Sequence, residues 1–141
     1  MGYKENYLEW KKAAQDTEVA AELLSIENND SEIKGRFSEE LCFGTAGLRG
    51  KIGAGTNRMN VYTVGRASQG LAKYVLDNGG QEKGMIIAYD TRKNSKLFSE
   101  TTALVFAANG IRTYVFEEAT SVPELSLSGI ASRPRRMPRG A

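Results

Sequence analysis

The sequence predicts an α/β fold: a mostly parallel sheet with flanking helices, preceded by an N-terminal helical segment. Three observations carry this. Apolar residues recur at helical spacing through residues 3–27. Residues 84–116 read as strand, helix, strand with short polar loops, the pattern of a right-handed βαβ unit. Between these regions, residues 44–60 hold too much glycine for a helix interior and read as a loop with a specific path.

Taken in order, Tyr7, Trp10, Ala14, Val19, Leu23, Leu24 and Ile26 mark the N-terminal helical stripe. It breaks around Asp16-Thr17, where Thr17 is the expected N-cap of the second half. Asn28-Asn29-Asp30-Ser31 is turn-forming, a short helical turn covers residues 31–37, and Leu41-Cys42-Phe43 reads as a brief strand. After the glycine-rich loop, Val61, Val64, Ser68, Leu71 and Val75 step by three and four and give one core-facing stripe. Asn78-Gly79-Gly80 ends that helix, with a glycine able to take the left-handed C′ conformation. The apolar run 85–89, bounded by Gly84 and Asp90, reads as a buried strand. A polar loop follows, with Ser95 as the expected N-cap of the next helix. That helix carries Leu97, Phe98, Thr101, Leu104, Val105 and Ala108, and Asn109-Gly110 closes it before a strand over 111–116. Ligands of parallel sheets sit beyond the carboxyl ends of the strands, where Asp90-Thr91-Arg92 and Thr120-Ser121 fall.

Composition limits the chemistry. The chain of 141 residues has the length of one ordinary domain. It contains no histidine, which excludes His-based triads, zinc sites and proton shuttles from these residues alone. The single cysteine, Cys42, precludes an internal disulfide and fits a reducing compartment. With neither a long apolar run nor a signal-like start, the expectation is a cytoplasmic protein without a membrane partner. Every acidic residue precedes position 125, whereas Arg133, Arg135, Arg136 and Arg139 crowd the last nine positions beside Pro134 and Pro138. Residues 128–141 are therefore expected to be a disordered basic tail.

Gly44, Gly47, Gly50, Gly53 and Gly55 fall within twelve positions. Neither common phosphate motif matches. A P-loop needs four residues between its glycines and Ser or Thr after its Lys, but here five separate Gly44 from Gly50 and Ile52 follows Lys51. A dinucleotide fingerprint lacks its third glycine, because Arg58 stands there. What remains is Phe43-Gly44-Thr45-Ala46-Gly47-Leu48-Arg49-Gly50. Its backbone N–H groups can form an anion-binding concavity, Thr45 adds a hydroxyl, and Arg49 can fork onto a phosphate or carboxylate. A structural turn with a solvated arginine is the other reading of the same residues.

Residues 43–50 resemble the segment that opens domain 1 of the α-D-phosphohexomutases, the phosphoglucomutase/phosphomannomutase family. Gly53-Ala54-Gly55-Thr56-Asn57-Arg58-Met59-Asn60 resembles the phosphoglucomutase/phosphopentomutase branch. Ala88-Tyr89-Asp90-Thr91-Arg92 with Ser95, and Thr120-Ser121-Val122-Pro123-Glu124-Leu125, are similar to the family's following segments. The motifs come in family order over about residues 5–127. The resemblance implies an incomplete three-layer domain 1 over residues 41–127, with residues 1–40 as an N-terminal helical extension. It implies interconversion of hexose 1-phosphate and 6-phosphate through a phosphoserine and a sugar bisphosphate, with Mg²⁺ in the full-length enzymes. Thr45, Arg49 and Arg92 would line that site, with Asp90 shaping its loop.

The departures from the family are as informative. Its Thr-Ala-Ser-His-Asn-Pro segment is absent from these residues, and Ser126, Ser128 and Ser132 lack the flanking His-Asn. The Mg²⁺ loop, the sugar-selecting loop and the distal phosphate-binding domain are absent as well. The expectation is an N-terminal fragment that is inactive alone, binds no metal, and exposes a sheet edge through which it could self-associate. Back-translation of residues 127–140 with free codon choice permits a frame similar to the family's continuation, so a frameshift near Leu127 is expected, against a deliberate chain boundary. The other functional reading is an anion- or nucleic-acid-binding module using the arginine tail. The tail's lack of aromatic residues and a net charge of only +2 weigh against nucleic acid.

Overall fold

A computed structural model describes residues 2–44, 47–116 and 134–137, with backbone alone for 43, 44, 47 and 134–137. The chain divides into two compact units, Met1–Thr63 and Val64–Ala141.

In the first unit, three helices gather the N-terminal apolar stripe. They are α1 (Tyr3–Ala13), α2 (Thr17–Ser25) and α3 (Asp30–Phe37). The break between α1 and α2 falls where expected, but the N-cap is Asp16 rather than Thr17: its carboxylate accepts from the Val19 N–H at 3.0 Å. Asp is as good a cap as Thr, and it sits one residue earlier, three before the N–H that it satisfies. Asn29 caps α3 the same way through the Glu32 N–H. Tyr7, Val19, Leu23, Ile26, Ile33, Phe37 and Ala54 form the core, with Tyr3, Trp10 and Ala14 packed against it. Leu24, expected in the stripe, is exposed. Phe37 takes both Tyr7 and Trp10 edge-on, at 5.7 and 5.6 Å between centroids. The buried Tyr7 hydroxyl donates to the Leu23 carbonyl at 2.8 Å, so its polar atom is satisfied inside the core. Of the expected strand at 41–43 only Phe43 is extended, in β1 (Phe43–Gly44), which pairs antiparallel with β2 (Gly47–Leu48).

The second unit holds the expected βαβ pattern. It comprises most of α4 (Val61–Asp77), then β3 (Met85–Ile87), α5 (Ser95–Ala108) and β4 (Thr113–Phe116). β3 and β4 pair in parallel, Met85 opposite Thr113 and Ile87 opposite Val115. Ala72, Phe106 and Ile111 form the centre of this core, with Val75, Leu76, Met85 and Ile87 against it. Both helices end as the sequence indicates. Gly79 and Gly110 take positive φ, and the N–H groups of Gly80 and Ile111 return to the carbonyls of Val75 and Phe106.

Three expectations shift. The buried stripe of α4 is Val64, Ser68 and Ala72, while Leu71 is exposed. The buried face of α5 is Ser99, Ala103, Phe106 and Ala107, while Leu97 and Leu104 are exposed. Small residues take the inner positions because they let the elements approach closely, which hydrophobicity alone does not reveal. In β3, Ile86 is exposed between two half-buried neighbours, so the strand is covered on one face rather than both.

The tail also differs from expectation. The backbone of Pro134–Met137 forms β5, antiparallel to β4, with Arg136 opposite Tyr114. The sheet order is β3-β4-β5. An unpaired edge of β4 offers a row of backbone donors and acceptors, and an extended segment satisfies them whatever its composition. Pro134 stands at the strand's first position, where a missing N–H is tolerated. The rest of the 128–141 tail lies outside the described residues.

Candidate functional site

The glycine-rich segment is fixed both by its own backbone bonds and by the elements around it. β1 and β2 form a hairpin whose two connecting residues, Thr45 and Ala46, lie outside the described residues, as do Thr120 and Ser121. Arg49 leaves β2 exposed, and its guanidinium has no partner among the described residues. Lys51 is likewise exposed.

Beyond Arg49 the chain doubles back. The Met59 N–H donates to the Lys51 carbonyl at 2.7 Å, and the Gly53 N–H donates to the Met59 carbonyl at 3.1 Å. These bonds make a parallel bridge between Ile52 and Met59. The intervening loop is held at both ends by helix termini, which carry unpaired backbone groups. At the C-terminus of α3, the Arg36 carbonyl accepts from the Asn57 N–H at 3.2 Å and the Gly35 carbonyl from Asn57 Nδ2 at 2.6 Å. At the N-terminus of α4, Asn60 Oδ1 accepts from the N–H groups of Tyr62 and Thr63, both at 3.0 Å. Thr63 Oγ1 accepts from the Asn60 N–H in return, at 3.0 Å, a reciprocal cap. The buried Asn60 uses its remaining donor on the carbonyls of Gly53 and Gly55, at 2.8 and 3.2 Å. One side chain thus starts a helix and shapes the loop before it.

A further contact spans 32 residues of sequence. Glu22 accepts from the Ala54 N–H and pairs with Arg36 Nη1 at 3.0 Å. Arg36 Nη1 also donates to the Ala54 carbonyl at 3.1 Å, and its Nε binds Glu32 at 3.0 Å. Burial works against the Arg36 charge, but its hydrogen bonds to Glu22 and Glu32 outweigh it and hold the group above its ordinary value.

Arg92 lies in the second unit, in the loop between β3 and α5. Asp90 organises this loop, as the sequence suggests. Its carboxylate accepts from the Arg92 N–H at 2.9 Å and from Arg92 Nε at 2.7 Å. Ser95 is the first residue of α5 rather than its cap: its hydroxyl accepts from the Asp90 N–H at 3.1 Å, while Asn94 holds the cap position at φ 64. The expected N-cap role moves by one residue because the Asp90 turn already claims the serine hydroxyl. Arg92 is exposed but engaged, unlike Arg49.

The backbone hydrogen bond from Arg92, opposed by burial and aided by the side chains of Arg92 and Ser95, lowers the Asp90 carboxyl from its ordinary value of 3.8. A depressed carboxylate contributes its stabilisation in full above that ordinary value and loses it as pH falls through the lower folded value. The 90–95 loop is therefore expected to hold at pH 4 and loosen only below it. Following the Arg92 amide shift through an acid titration checks this, and Asp90→Asn should remove the transition.

Among the described residues no group of three His, Cys, Asp or Glu side chains could hold a metal ion. No described helix is long and apolar enough to cross a membrane.

Glu22, Arg36 and Asn60 are absent from the sequence-based candidates. Asn60 had a readable signal, an Asn directly before the stripe of α4 with Thr three residues on. The Glu32–Arg36 spacing of four was also readable. Nothing local announces the reach of Glu22 to Ala54.

Residues 40–131 match the family described as phosphoglucomutase/phosphomannomutase, alpha/beta/alpha domain I. The chain is similar to a probable phosphoribomutase of Schizosaccharomyces pombe, 37% identical over 119 residues, covering 82% of this chain and 20% of the relative. It is similar to a phosphoglucomutase of Staphylococcus saprophyticus, 39% identical over 99 residues, covering 70% of this chain and 18% of the relative. A human phosphopentomutase is 32% identical over 125 residues, covering 83% and 20%. The chain thus spans about a fifth of the length of these curated relatives. No solved structure matches.

Proposed function

We propose, for a chain that belongs to the phosphoglucomutase/phosphomannomutase family, that it supplies the first wall of a sugar-phosphate site, with Arg49 as its phosphate contact. The supporting observation is the state of Arg49. Its backbone leaves a hairpin and enters a bridge anchored to Met59, yet its guanidinium is exposed and has no partner among the described residues. A planar fork held on ordered backbone suits bidentate contact with a phosphate, and phosphoryl transfer depends mainly on such positioning and charge stabilisation. In the other unit, Arg92 stands on a loop that Asp90 holds in one shape. The substrates are sugar phosphates of the hexose or pentose class, in keeping with the phosphoglucomutase and phosphopentomutase relatives.

These residues bind and orient; they do not supply the nucleophile. The phosphoserine segment implied by the family contains a histidine, and the chain has none. The 141-residue chain alone should therefore show no conversion of glucose 1-phosphate in a coupled assay, and measurable turnover would overturn that part of the proposal.

The binding part is tested by titrating the chain with inorganic phosphate and with glucose 1-phosphate while following backbone amide shifts. Shifts should centre on residues 49–51, and Arg49→Ala should weaken the response by about tenfold, the worth of one charge-assisted hydrogen bond. An unchanged response in Arg49→Ala would remove Arg49 from the site.

A further inference from the structure

We propose that Glu22 and Arg36 are positioning residues: from two N-terminal helices they lock the glycine-rich loop in the shape that presents Arg49 to phosphate. This rests on the phosphate-site reading above and extends it to residues 1–39, which lie outside the family match.

In the second half of the glycine-rich segment, the chain presents the Ala54 N–H to its own carboxylate, Glu22. At Gly53, φ is 154, and a Cβ there would stand 3.0 Å from Glu22 Oε1 and 3.3 Å from Arg36 Nη1. The Ala54 N–H already donates to Glu22, and Ala54 is fully buried. That N–H is therefore already taken by the chain's own carboxylate, whereas Arg49 has no partner among the described residues.

The pair is tied to Arg49 by a short chain of contacts. The Arg36 side chain is only 15% exposed and holds Glu22, Glu32 and the Ala54 carbonyl together. Its own carbonyl takes the Asn57 N–H. The Asn57 carbonyl lies 3.4 Å from where a Cβ on Gly50 would stand, with Leu41 Cδ1 at 2.7 Å on the same residue. Gly50 is thus lodged between the loop and Leu41, and Lys51 is bonded to Met59 just beyond it. Arg49 is the next residue back along the chain, so its backbone direction is set by a wedge that Arg36 holds in place.

The test uses the 141-residue chain and three variants, Glu22→Gln, Glu32→Gln and Arg49→Ala. Two quantities are read for each: hydrogen exchange of individual amides, and amide shifts at residues 49–51 on titration with inorganic phosphate. In Glu22→Gln, protection of the Ala54 amide should fall by about tenfold, with smaller losses at Asn57 and Met59, while amides within α1 and α5 keep theirs. Phosphate affinity should fall by about threefold or more in the same variant, a coupling through the loop rather than a lost contact. Glu32→Gln leaves Glu22 in place and should produce a smaller change of the same pattern. The positioning role is overturned if Glu22→Gln leaves phosphate affinity at the wild-type value. It is equally overturned if both glutamine variants lose protection evenly across residues 3–63, since the pair would then be a general stabiliser. If the unsubstituted chain gives no phosphate response at residues 49–51, or Arg49→Ala leaves it unchanged, the binding reading fails. A fall in protection confined to residues 50–59 would even so show the loop to be held by the pair.

Discussion

Replacing Gly55 by alanine is expected to destabilise the Met1–Thr63 unit by about 3 kcal/mol, the sum of a strained backbone and a blocked side chain. Gly55 takes φ 142, a conformation that L side chains rarely adopt. A methyl group there would stand 2.8 Å from Arg36 Cβ and 2.8 Å from the Arg36 carbonyl oxygen. Neither atom is the free end of a flexible chain, and the carbonyl is already committed to Asn57. Relief therefore requires moving the last turn of α3 or the loop, and either motion breaks the contacts that hold the other. Trp10, the one tryptophan, packs edge-on against Phe37 and Tyr62, so its fluorescence reports on this unit during urea unfolding. Gly35→Ala is the matched control. Nothing lies within 4 Å of its added methyl group, and a helical site should gain about 0.5–1 kcal/mol. Equal midpoints for the two variants would refute the steric argument.

The second large effect belongs to the other unit. Phe106→Ala should cost about 3–5 kcal/mol, because a fully buried aromatic leaves a cavity that its neighbours cannot close. Phe106 is 1% exposed and packs with Ala72 and Ile111, both fully buried. It also sits where α5 ends: its carbonyl accepts the Ile111 N–H at 3.1 Å, so the side chain and the helix stop are supported together. Exchange of the amides of Thr113 and Val115 measures the loss. Leu104→Ala, at an exposed position two residues earlier on the same helix, should stay within about 0.5 kcal/mol. A comparable loss from both would mean that the apolar outer face of α5 is as important to this unit as its inner one.

Much of the architecture was legible because it follows from local rules. The break between α1 and α2, the glycine stops at Gly79 and Gly110 and the βαβ pattern each depend on residues close in sequence. The inward face of α4 was misread for one reason. Helical spacing finds a stripe but weighs large residues above small ones, so Leu71 reads as inward-facing, where Ala72 is found. Arg49, Asp90 and Arg92 could be singled out as candidates because polar residues beside glycine or beyond a strand stand out against an apolar pattern. Glu22 and Arg36 do not stand out, since they read as ordinary solvent-facing positions on short amphipathic helices. Their role appears only when Ala54, far along the chain, is brought to them. The strand at Pro134–Met137 was invisible for another reason: it is recruited by backbone groups of β4, which composition does not register.

The cap at Asn60 carries a consequence for the order in which the molecule takes shape. Every described partner of the glycine-rich loop, from Glu22 and Arg36 to Thr63, lies in one uninterrupted stretch of chain. During synthesis, domains form as units and the N-terminal one can form first. The loop can therefore be cast around its internal carboxylate while β3 and β4 are still untranslated, so that the arginine-bearing segment is set before the sheet exists.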